Sequence, residues 1–234
     1  MTGPDLAYRA APVTTRSSPG PWPGVVLVHD AFGAGDDMRE QADWLAAAGY
    51  VVAMPDLYRG RRAVQCLRGT FTQLAAQHGP AFDLIEHARA DLAGSEECTG
   101  AVGVIGYCMG GGFALLLANR PGWSAASVNY GLLPEDLDVA FAGACPVVAS
   151  YGGKDTSLKG AAAKVRDAAQ RNGVTHDVRE YPQARHGFIN RLTAVSPLTP
   201  LLRVGGVGYD HAAAADAKRR ILTFFDTHLG APPA

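Results

Sequence analysis

The sequence lacks the patterns that mark several common classes of protein. Its four cysteines form no C-x-x-C pair, which gives no support for a zinc site or a redox dithiol. Neither G-x-G-x-x-G nor G-x-x-x-x-G-K-[ST] occurs, so the usual nucleotide phosphate loops are excluded. A net charge of −1 offers no electrostatic footprint for nucleic acid. There is no signal-peptide pattern and no run of about 18 uncharged apolar residues, so we expect a cytoplasmic protein with no membrane partner.

The composition is that of an ordinary globular protein. Of the 234 residues, 47% are hydrophobic and 18% are charged, which is enough apolar material for one large core. We therefore predict a single domain spanning residues 1–234. The oligomeric state stays open between a monomer and a small homo-oligomer.

Strand-like and helix-like segments alternate along most of the chain. Short runs rich in β-branched residues predict strands, and amphipathic stretches that end in glycine predict helices. The predicted strands cover residues 24–29, 50–55, 101–106, 124–131, 146–153 and 175–182, and the predicted helices cover 36–49, 81–94, a stretch from 109, 158–173 and 210–228. This alternation predicts an α/β fold with a mostly parallel central sheet and helices on both faces.

Some local features are less sharply specified by the sequence. Asp36 or Asp37 is predicted to cap the first helix. Residues 56–80 predict a loop and a helix only weakly, which leaves open whether they form a lid. The stretch 192–210 is long for a loop in a compact domain and is either functional or mobile.

The segment "VGVIGYCMGGGFALLLA" places a thiol where a strand must turn into a helix. Gly106-x-Cys108-x-Gly110 has the spacing of a nucleophile elbow, in which a strained turn lifts one side chain above the carboxyl edge of the sheet. The first turn of the following helix favours a negative charge there, and the N–H of Met109 is placed to bind an oxyanion. By itself the motif also fits a buried structural thiol or a phosphate-binding turn.

Two further residues follow strands that end at the same edge. Asp155 comes after the strand that ends in Gly-Gly, and His186 lies in the loop after the next strand. The order nucleophile, acid, histidine is that of α/β-hydrolases. Because a nucleophile needs a base, and the base needs an orienting group, we predict a triad of Cys108, Asp155 and His186.

With these residues, the sequence resembles the dienelactone hydrolase family, whose members are α/β-hydrolases with a Cys-Asp-His triad. The resemblance covers nearly the whole chain and includes "DAFG", "MPDLY", "GYCMGG", "NYG", "GGKD", "RHGF" and "YDHAAAADAKRRILTFF". It implies that Cys108 is the nucleophile, that His186 acts as general base and then acid, and that Asp155 fixes the imidazole tautomer. It also implies an oxyanion hole formed by the backbone N–H groups of Met109 and Ala31.

The sequence departs from the family pattern at two positions. Lactone-active members usually hold a glutamate, implicated in activating the thiol, where this chain has Asp30. Asp30 is one methylene shorter and either activates the nucleophile or only caps its loop, and His29 beside it is a possible bystander. Those members also use an arginine for the substrate carboxylate where this chain has Asn190. Arginines that could substitute from loops are Arg59, Arg62, Arg68 and Arg191.

The predicted function is hydrolysis of small carboxylic esters or lactones through an acyl-thioester on the cysteine, with no metal or organic cofactor. Tyr130 is implied to line the substrate cavity, with Phe32, Phe188 and Asn190 as further contacts. Two alternatives remain. One is a carboxylesterase or thioesterase that acts on a neutral metabolite, and the other is a catalytically silent fold that binds a small hydrophobic ligand between the three aromatic residues.

Overall fold

The structure is a computed structural model, and it describes residues 6–13, 20–191 and 207–230. In this part of the chain one sheet contains seven strands. In chain order they are β1 (Leu6–Ala10), β2 (Trp22–Val28), β3 (Val51–Pro55), β4 (Cys98–Tyr107), β5 (Ala125–Asn129), β6 (Val147–Gly152) and β7 (His176–Tyr181).

The strands lie in the order β1-β3-β2-β4-β5-β6-β7, and every neighbouring pair is parallel except β1 with β3. The predicted mostly parallel sheet is therefore confirmed. All residues of β2, β3, β5 and β6 are buried, which is typical of strands covered on both faces. The antiparallel edge strand β1 was not predicted, because an edge strand is only partly buried and its sequence lacks a continuous apolar run.

Helices pack against this sheet. They are α1 (Asp36–Ala47), α2 (Ala63–Ala76), α3 (Pro80–Ala93), α4 (Met109–Leu117), α5 (Leu137–Phe141), α6 (Ala161–Arg171) and α7 (His211–Leu229), and a 3-10 turn covers Thr156–Leu158. The rings of Phe82 and Phe113 join α3 to α4, with centroids 4.7 Å apart. The Lys218 ammonium lies 4.7 Å from the Trp44 ring and joins α7 to α1.

The structure refines two local predictions, and most of a third lies outside the described residues. The N-cap of α1 is Gly35, whereas Asp36 and Asp37 lie in the first helical turn. Their carboxylates there still interact favourably with the helix dipole. The weakly predicted region 56–80 contains the regular helix α2. Residues 192–206 of the long predicted loop lie outside the described part of the chain. In the described part, no helix is both long and apolar enough to cross a membrane.

Candidate active site

Cys108 occupies the turn between β4 and α4. Its backbone angles are φ 54° and ψ −114°, outside the regions that a residue with a Cβ normally adopts. Such a conformation costs about 1 to 3 kcal/mol and persists only where the surrounding structure enforces it. The Cys108 N–H donates to the Asn129 carbonyl at the end of β5, with a distance of 3.0 Å. Hydrogen bonding to the neighbouring strand thus holds the turn at the carboxyl edge of the sheet.

The glycines around Cys108 are required by close backbone approach. A Cβ on Gly106 would lie 2.0 Å from the backbone oxygen of Gly110, which is an impossible contact. A Cβ on Gly110 would lie 2.2 Å from the backbone oxygen of Val28 in β2. The "GYCMGG" pattern therefore reflects a helix that begins directly against two strands.

His186 and Asp155 are in direct contact. The Nδ1 of His186 lies 2.6 Å from Oδ2 of Asp155. The other carboxylate oxygen accepts hydrogen bonds from the Ser157 N–H at 3.0 Å and from the Ser157 hydroxyl at 2.5 Å. Because Nδ1 donates to a carboxylate, Nε2 is left to act as a base. Ser157 was missed from the sequence, although Asp-x-Ser after a strand is a recognisable turn pattern.

The pKa values of this pair move in opposite directions. Burial alone would lower the pKa of His186, but hydrogen bonds and charges of Asp155 and Cys108 raise it well above its ordinary value. Burial acts to raise the pKa of Asp155, but the hydrogen bonds from His186 and Ser157 outweigh this effect and lower it. A side-chain hydrogen bond between His186 and Cys108 contributes to the rise of the His186 pKa. The structure thus brings the three predicted triad residues together.

The two residues predicted for the oxyanion hole follow neighbouring strands of the sheet, β2 and β4. Ala31 follows β2, and its carbonyl accepts a hydrogen bond from the Tyr58 hydroxyl at 2.9 Å. Met109 is the first residue of α4 and is fully buried. The Tyr58 hydroxyl also lies 3.9 Å from the Met109 sulfur. Tyr58 therefore contacts both segments, a role that the sequence did not reveal.

Asp30 is a buried carboxyl next to the triad. Its Oδ1 accepts a hydrogen bond from the Phe32 N–H at 2.8 Å, and its side chain is also hydrogen-bonded to Asn190. Burial raises the pKa of Asp30 to about 6, with a further raising effect of Asp37 and a lowering effect of His186. Asp30 is therefore hydrogen-bonded to its own loop and to Asn190, and it interacts electrostatically with His186.

A row of buried polar side chains continues from Asp30 into the core. Asn190 accepts a hydrogen bond from Gln41 at 3.4 Å, and Gln41 accepts one from the Tyr107 hydroxyl at 3.4 Å. An ionised carboxylate only accepts hydrogen bonds, so Asn190 must turn its amide nitrogen to Asp30. This choice sets the direction of every other donor in the row. Gln41 and Tyr107 were not predicted, because only the fold brings α1 and β4 next to residue 190.

The predicted aromatic contacts differ in exposure. Phe32 is 55% exposed, whereas Tyr130 and Phe188 are fully buried. The Tyr130 ring packs at a steep angle against the rings of His186 and Phe188, with centroid distances of 5.2 and 5.6 Å. Tyr130 has a positive φ of 40°, and its buried hydroxyl has no hydrogen-bond partner among the described residues. Burial raises the pKa of Tyr130, with a further raising effect of Tyr107, Asp30 and Cys108.

The described residues include no group of three or more histidine, cysteine, aspartate or glutamate side chains that could hold a metal ion. Among the arginines considered as substitutes for the family's carboxylate-binding arginine, Arg191 lies over the Tyr209 ring at 5.7 Å. Asn190, at the family's arginine position, is buried and directed to Asp30 and Gln41. It is therefore already occupied by partners of this chain.

The chain is similar to known proteins along most of its length. The sequence pattern of the dienelactone hydrolase family matches residues 9–229. A carboxymethylenebutenolidase from Pseudomonas putida is 27% identical over 214 residues, which cover 87% of this chain and 85% of that protein.

Solved structures show the same fold. A dienelactone hydrolase-like promiscuous phosphotriesterase from metagenomic libraries is 26% identical, with a TM-score of 0.75 and coverage of 90% of this chain and 88% of that chain. An esterase from Thermogutta terrifontis has a TM-score of 0.65 at 15% identity, and the match covers 97% of this chain and 90% of that one. The second similarity shows the fold alone.

Proposed function

Because the chain belongs to the dienelactone hydrolase family and is a hydrolase of ester or lactone bonds, we propose that it acts through Cys108 as nucleophile and through an acyl-thioester intermediate. The observation that carries this proposal is the Cys108 turn, whose strained backbone presents a thiol to the His186–Asp155 pair. A buried structural thiol would not require this strain, and a phosphate-binding turn would not require the histidine and carboxylate.

The first half of the reaction forms the thioester. The raised pKa of His186 favours transfer of the thiol proton to its Nε2, and Sγ of Cys108 then attacks the carbonyl carbon as a thiolate. The carbonyl oxygen becomes an oxyanion and accepts hydrogen bonds from the N–H groups of Ala31 and Met109, each worth about 2.7 to 4 kcal/mol. The C–O bond then breaks, and His186 returns its proton to the leaving alkoxide.

The second half releases the acid. Nε2 of His186 takes a proton from water, and the hydroxyl adds to the thioester carbonyl. The C–S bond breaks, and the sulfur recovers the proton from His186. Asp155 stays ionised throughout and holds the imidazole in the tautomer that both steps need.

Asp30 activates the nucleophile through His186 in this proposal. With its pKa raised to about 6, the Asp30 carboxyl is mostly ionised at neutral pH. Its negative charge then favours the imidazolium that forms when the thiol loses its proton. This role needs only the electrostatic coupling between Asp30 and His186 and not a direct contact with the sulfur.

The charges near the site favour a neutral substrate. Asp30 and Asp37 both act on the groups around the thiol, whereas Asn190 replaces the arginine that binds a substrate carboxylate in lactone-active members. An anionic substrate would meet negative charge without a bidentate guanidinium partner. We therefore propose small neutral esters or lactones, including thioesters, as the substrate class.

The decisive experiment compares the wild type with Cys108→Ala on p-nitrophenyl acetate and on cis- and trans-dienelactone. We expect the variant to lose at least about 1,000-fold in kcat. Mass spectrometry of the quenched wild-type reaction should show an acetyl group on Cys108. Cys66→Ala removes another partly exposed thiol and serves as the control, with activity unchanged.

Two results would contradict the proposal. Turnover by Cys108→Ala at the wild-type rate would remove the nucleophile assignment. Slow alkylation of Cys108 by iodoacetamide, together with no acyl-enzyme, would favour the silent ligand-binding alternative. A panel of matched neutral and anionic esters tests the substrate class separately, because faster turnover of the anionic series would overturn only that part.

A further inference from the structure

His29 is fully buried at the carboxyl end of β2, and the proposed reaction does not use it. Its Nδ1 lies 2.7 Å from the backbone oxygen of Asp30, and its Nε2 accepts a hydrogen bond from the Leu57 N–H at 3.2 Å. Because Nε2 accepts, the proton of the neutral ring is on Nδ1. The ring therefore donates to the Asp30 carbonyl, and both of its nitrogens have partners.

The surroundings of His29 favour this neutral form. Burial lowers the pKa of His29, although the hydrogen bond to the Asp30 carbonyl and the charge of Asp56 act in the opposite direction. A protonated ring would carry a second N–H toward the Leu57 N–H, and the two donors would oppose each other. The hydrogen-bond pattern alone thus selects one tautomer.

The carbonyl that His29 holds belongs to the same peptide unit as the Ala31 N–H. A peptide unit is planar and normally trans, so its C=O and N–H point in opposite directions. The Gly33 N–H also donates to the Asp30 oxygen, at 3.2 Å. Two donors on one carbonyl fix the plane of the unit, and this plane determines where the Ala31 N–H points.

The His29 ring also packs against Tyr58, which holds the peptide unit that follows Ala31. Its edge packs against the Tyr58 ring, with centroids 4.8 Å apart and an interplanar angle of 62°. Tyr58 in turn donates to the Ala31 carbonyl and contacts the sulfur of Met109. The two peptide units on either side of Ala31 are therefore held by neighbouring buried side chains.

We propose that His29 is a positioning residue of the oxyanion hole, which aims the Ala31 N–H by holding the carbonyl of the same peptide unit. The proposal rests on the proposed function, in which that N–H stabilises the tetrahedral intermediate. The hydrogen bond to the carbonyl also polarises the peptide, which strengthens its N–H as a donor. His29 does not touch the substrate in this scheme.

The experiment measures two reactions of Cys108 that differ in their need for the oxyanion hole. Hydrolysis of p-nitrophenyl acetate develops an oxyanion, whereas alkylation by iodoacetamide displaces iodide and develops none. For His29→Leu we expect kcat to fall about 10- to 100-fold, because the donor is misaligned and not removed. We expect KM and the alkylation rate constant to stay within about twofold of wild type, because neither depends on that donor.

Two amide variants separate the ring nitrogens. In His29→Asn the amide nitrogen lies near the position of Nδ1 and can donate to the Asp30 carbonyl, so it should recover most of kcat. His29→Gln places its polar group near Nε2 and should recover little. His176→Leu is the matched control. His176 is the first residue of β7, and its Nδ1 also lies close to a backbone carbonyl, that of Val174, at 2.8 Å. The kcat of this variant should not change.

The proposal is overturned if His29→Leu and His29→Gln keep kcat within about threefold of wild type, well short of the loss expected for a misaligned donor. It is equally overturned if asparagine recovers no more activity than glutamine. Either failure leaves the proposed function intact as long as Cys108→Ala is inactive. Conversely, an active Cys108→Ala variant would reject the nucleophile itself, whatever the His29 variants do.

Discussion

Two buried polar clusters of this molecule follow opposite rules. Around Arg220 in α7, the guanidinium contacts Asp177 at 2.9 Å, the Tyr181 hydroxyl at 3.1 Å and the Ser150 hydroxyl at 3.3 Å. That positive charge faces a negative one, and its N–H donors meet oxygen acceptors. This cluster ties α7 to strands β6 and β7.

The cluster around Cys108 is less well compensated. Asp30 is buried with neutral amide and backbone donors and no cation in direct contact among its described partners. In the described part of the chain the Tyr130 hydroxyl has no hydrogen-bond partner, and the Cys108 backbone is strained. In the Arg220 cluster each buried charge or donor thus meets a partner, whereas the cluster around Cys108 keeps a buried carboxyl, a strained backbone and a hydroxyl that are only partly compensated by the described residues.

The largest expected effect comes from removing the charge of Asp155. In Asp155→Asn the geometry is retained, but the amide can hold the imidazole in the wrong tautomer, so kcat should fall about 1,000- to 10,000-fold. Steady-state kinetics with p-nitrophenyl acetate checks this. Asp136→Asn is a matched control, because Asp136 also accepts a backbone N–H at a helix start but lies outside the site. Equal losses in both variants would contradict a specific role of Asp155.

The Arg220 cluster should respond in stability and not in chemistry. Arg220→Met leaves the Ser150 and Tyr181 hydroxyls and the Asp177 carboxylate without their partner. Because Asp177 is partly exposed, we expect a loss of about 2 to 4 kcal/mol in the free energy of unfolding, measured by urea denaturation. The kcat per folded molecule should stay near that of wild type. The exposed neighbour Arg219→Met should cost under about 1 kcal/mol.

Asp30→Asn should exchange activity for stability in a pH-dependent way. Burial raises the pKa of Asp30 from 3.8 to about 6, so the folded state binds a proton more tightly than the unfolded state. Ionisation then costs the wild type stability as the pH rises from about 4 to 7. The neutral variant should therefore be about 1 to 3 kcal/mol more stable at pH 8 and equally stable near pH 4.

Urea denaturation at several pH values measures this difference, and the exposed Asp36→Asn is the control, with no such gain. A variant with the same stability as wild type at every pH would contradict the unfavourable burial of the Asp30 charge. The kcat of Asp30→Asn at neutral pH should also fall, because the His186 imidazolium loses a nearby negative charge.

The smallest effect is expected at the unsatisfied hydroxyl of Tyr130. Tyr130→Phe removes a buried hydroxyl for which the described residues supply no partner. The free energy of unfolding should therefore change by less than about 1 kcal/mol, and any change should be stabilising. Tyr50→Phe is the matched comparison, because the Tyr50 hydroxyl is hydrogen-bonded to Asp226, and its loss should destabilise by about 1 to 2 kcal/mol. Similar thermal shifts for both variants would show that the two hydroxyls do not differ.

Much of the architecture follows from local sequence patterns. The order of the central strands and helices along the chain was predicted because strands that are covered on both faces carry continuous apolar runs. In amphipathic helices the apolar residues recur every three to four positions. The edge strand β1 and the short helix α5 escaped prediction, because five residues with partial burial leave too little pattern to detect.

The sequence by itself determined that a thiol flanked by glycines follows a buried strand, and that an aspartate and a histidine follow later strands. This much is encoded locally, because glycine spacing and strand ends are properties of neighbouring residues. Only the tertiary structure decided that His186 meets Asp155, that Asn190 turns to Asp30, and that His29 holds the carbonyl before Ala31. Those contacts join residues that are distant in the chain or set the orientation of a single peptide plane. Both depend on how the strands and their loops pack together, which no local pattern encodes.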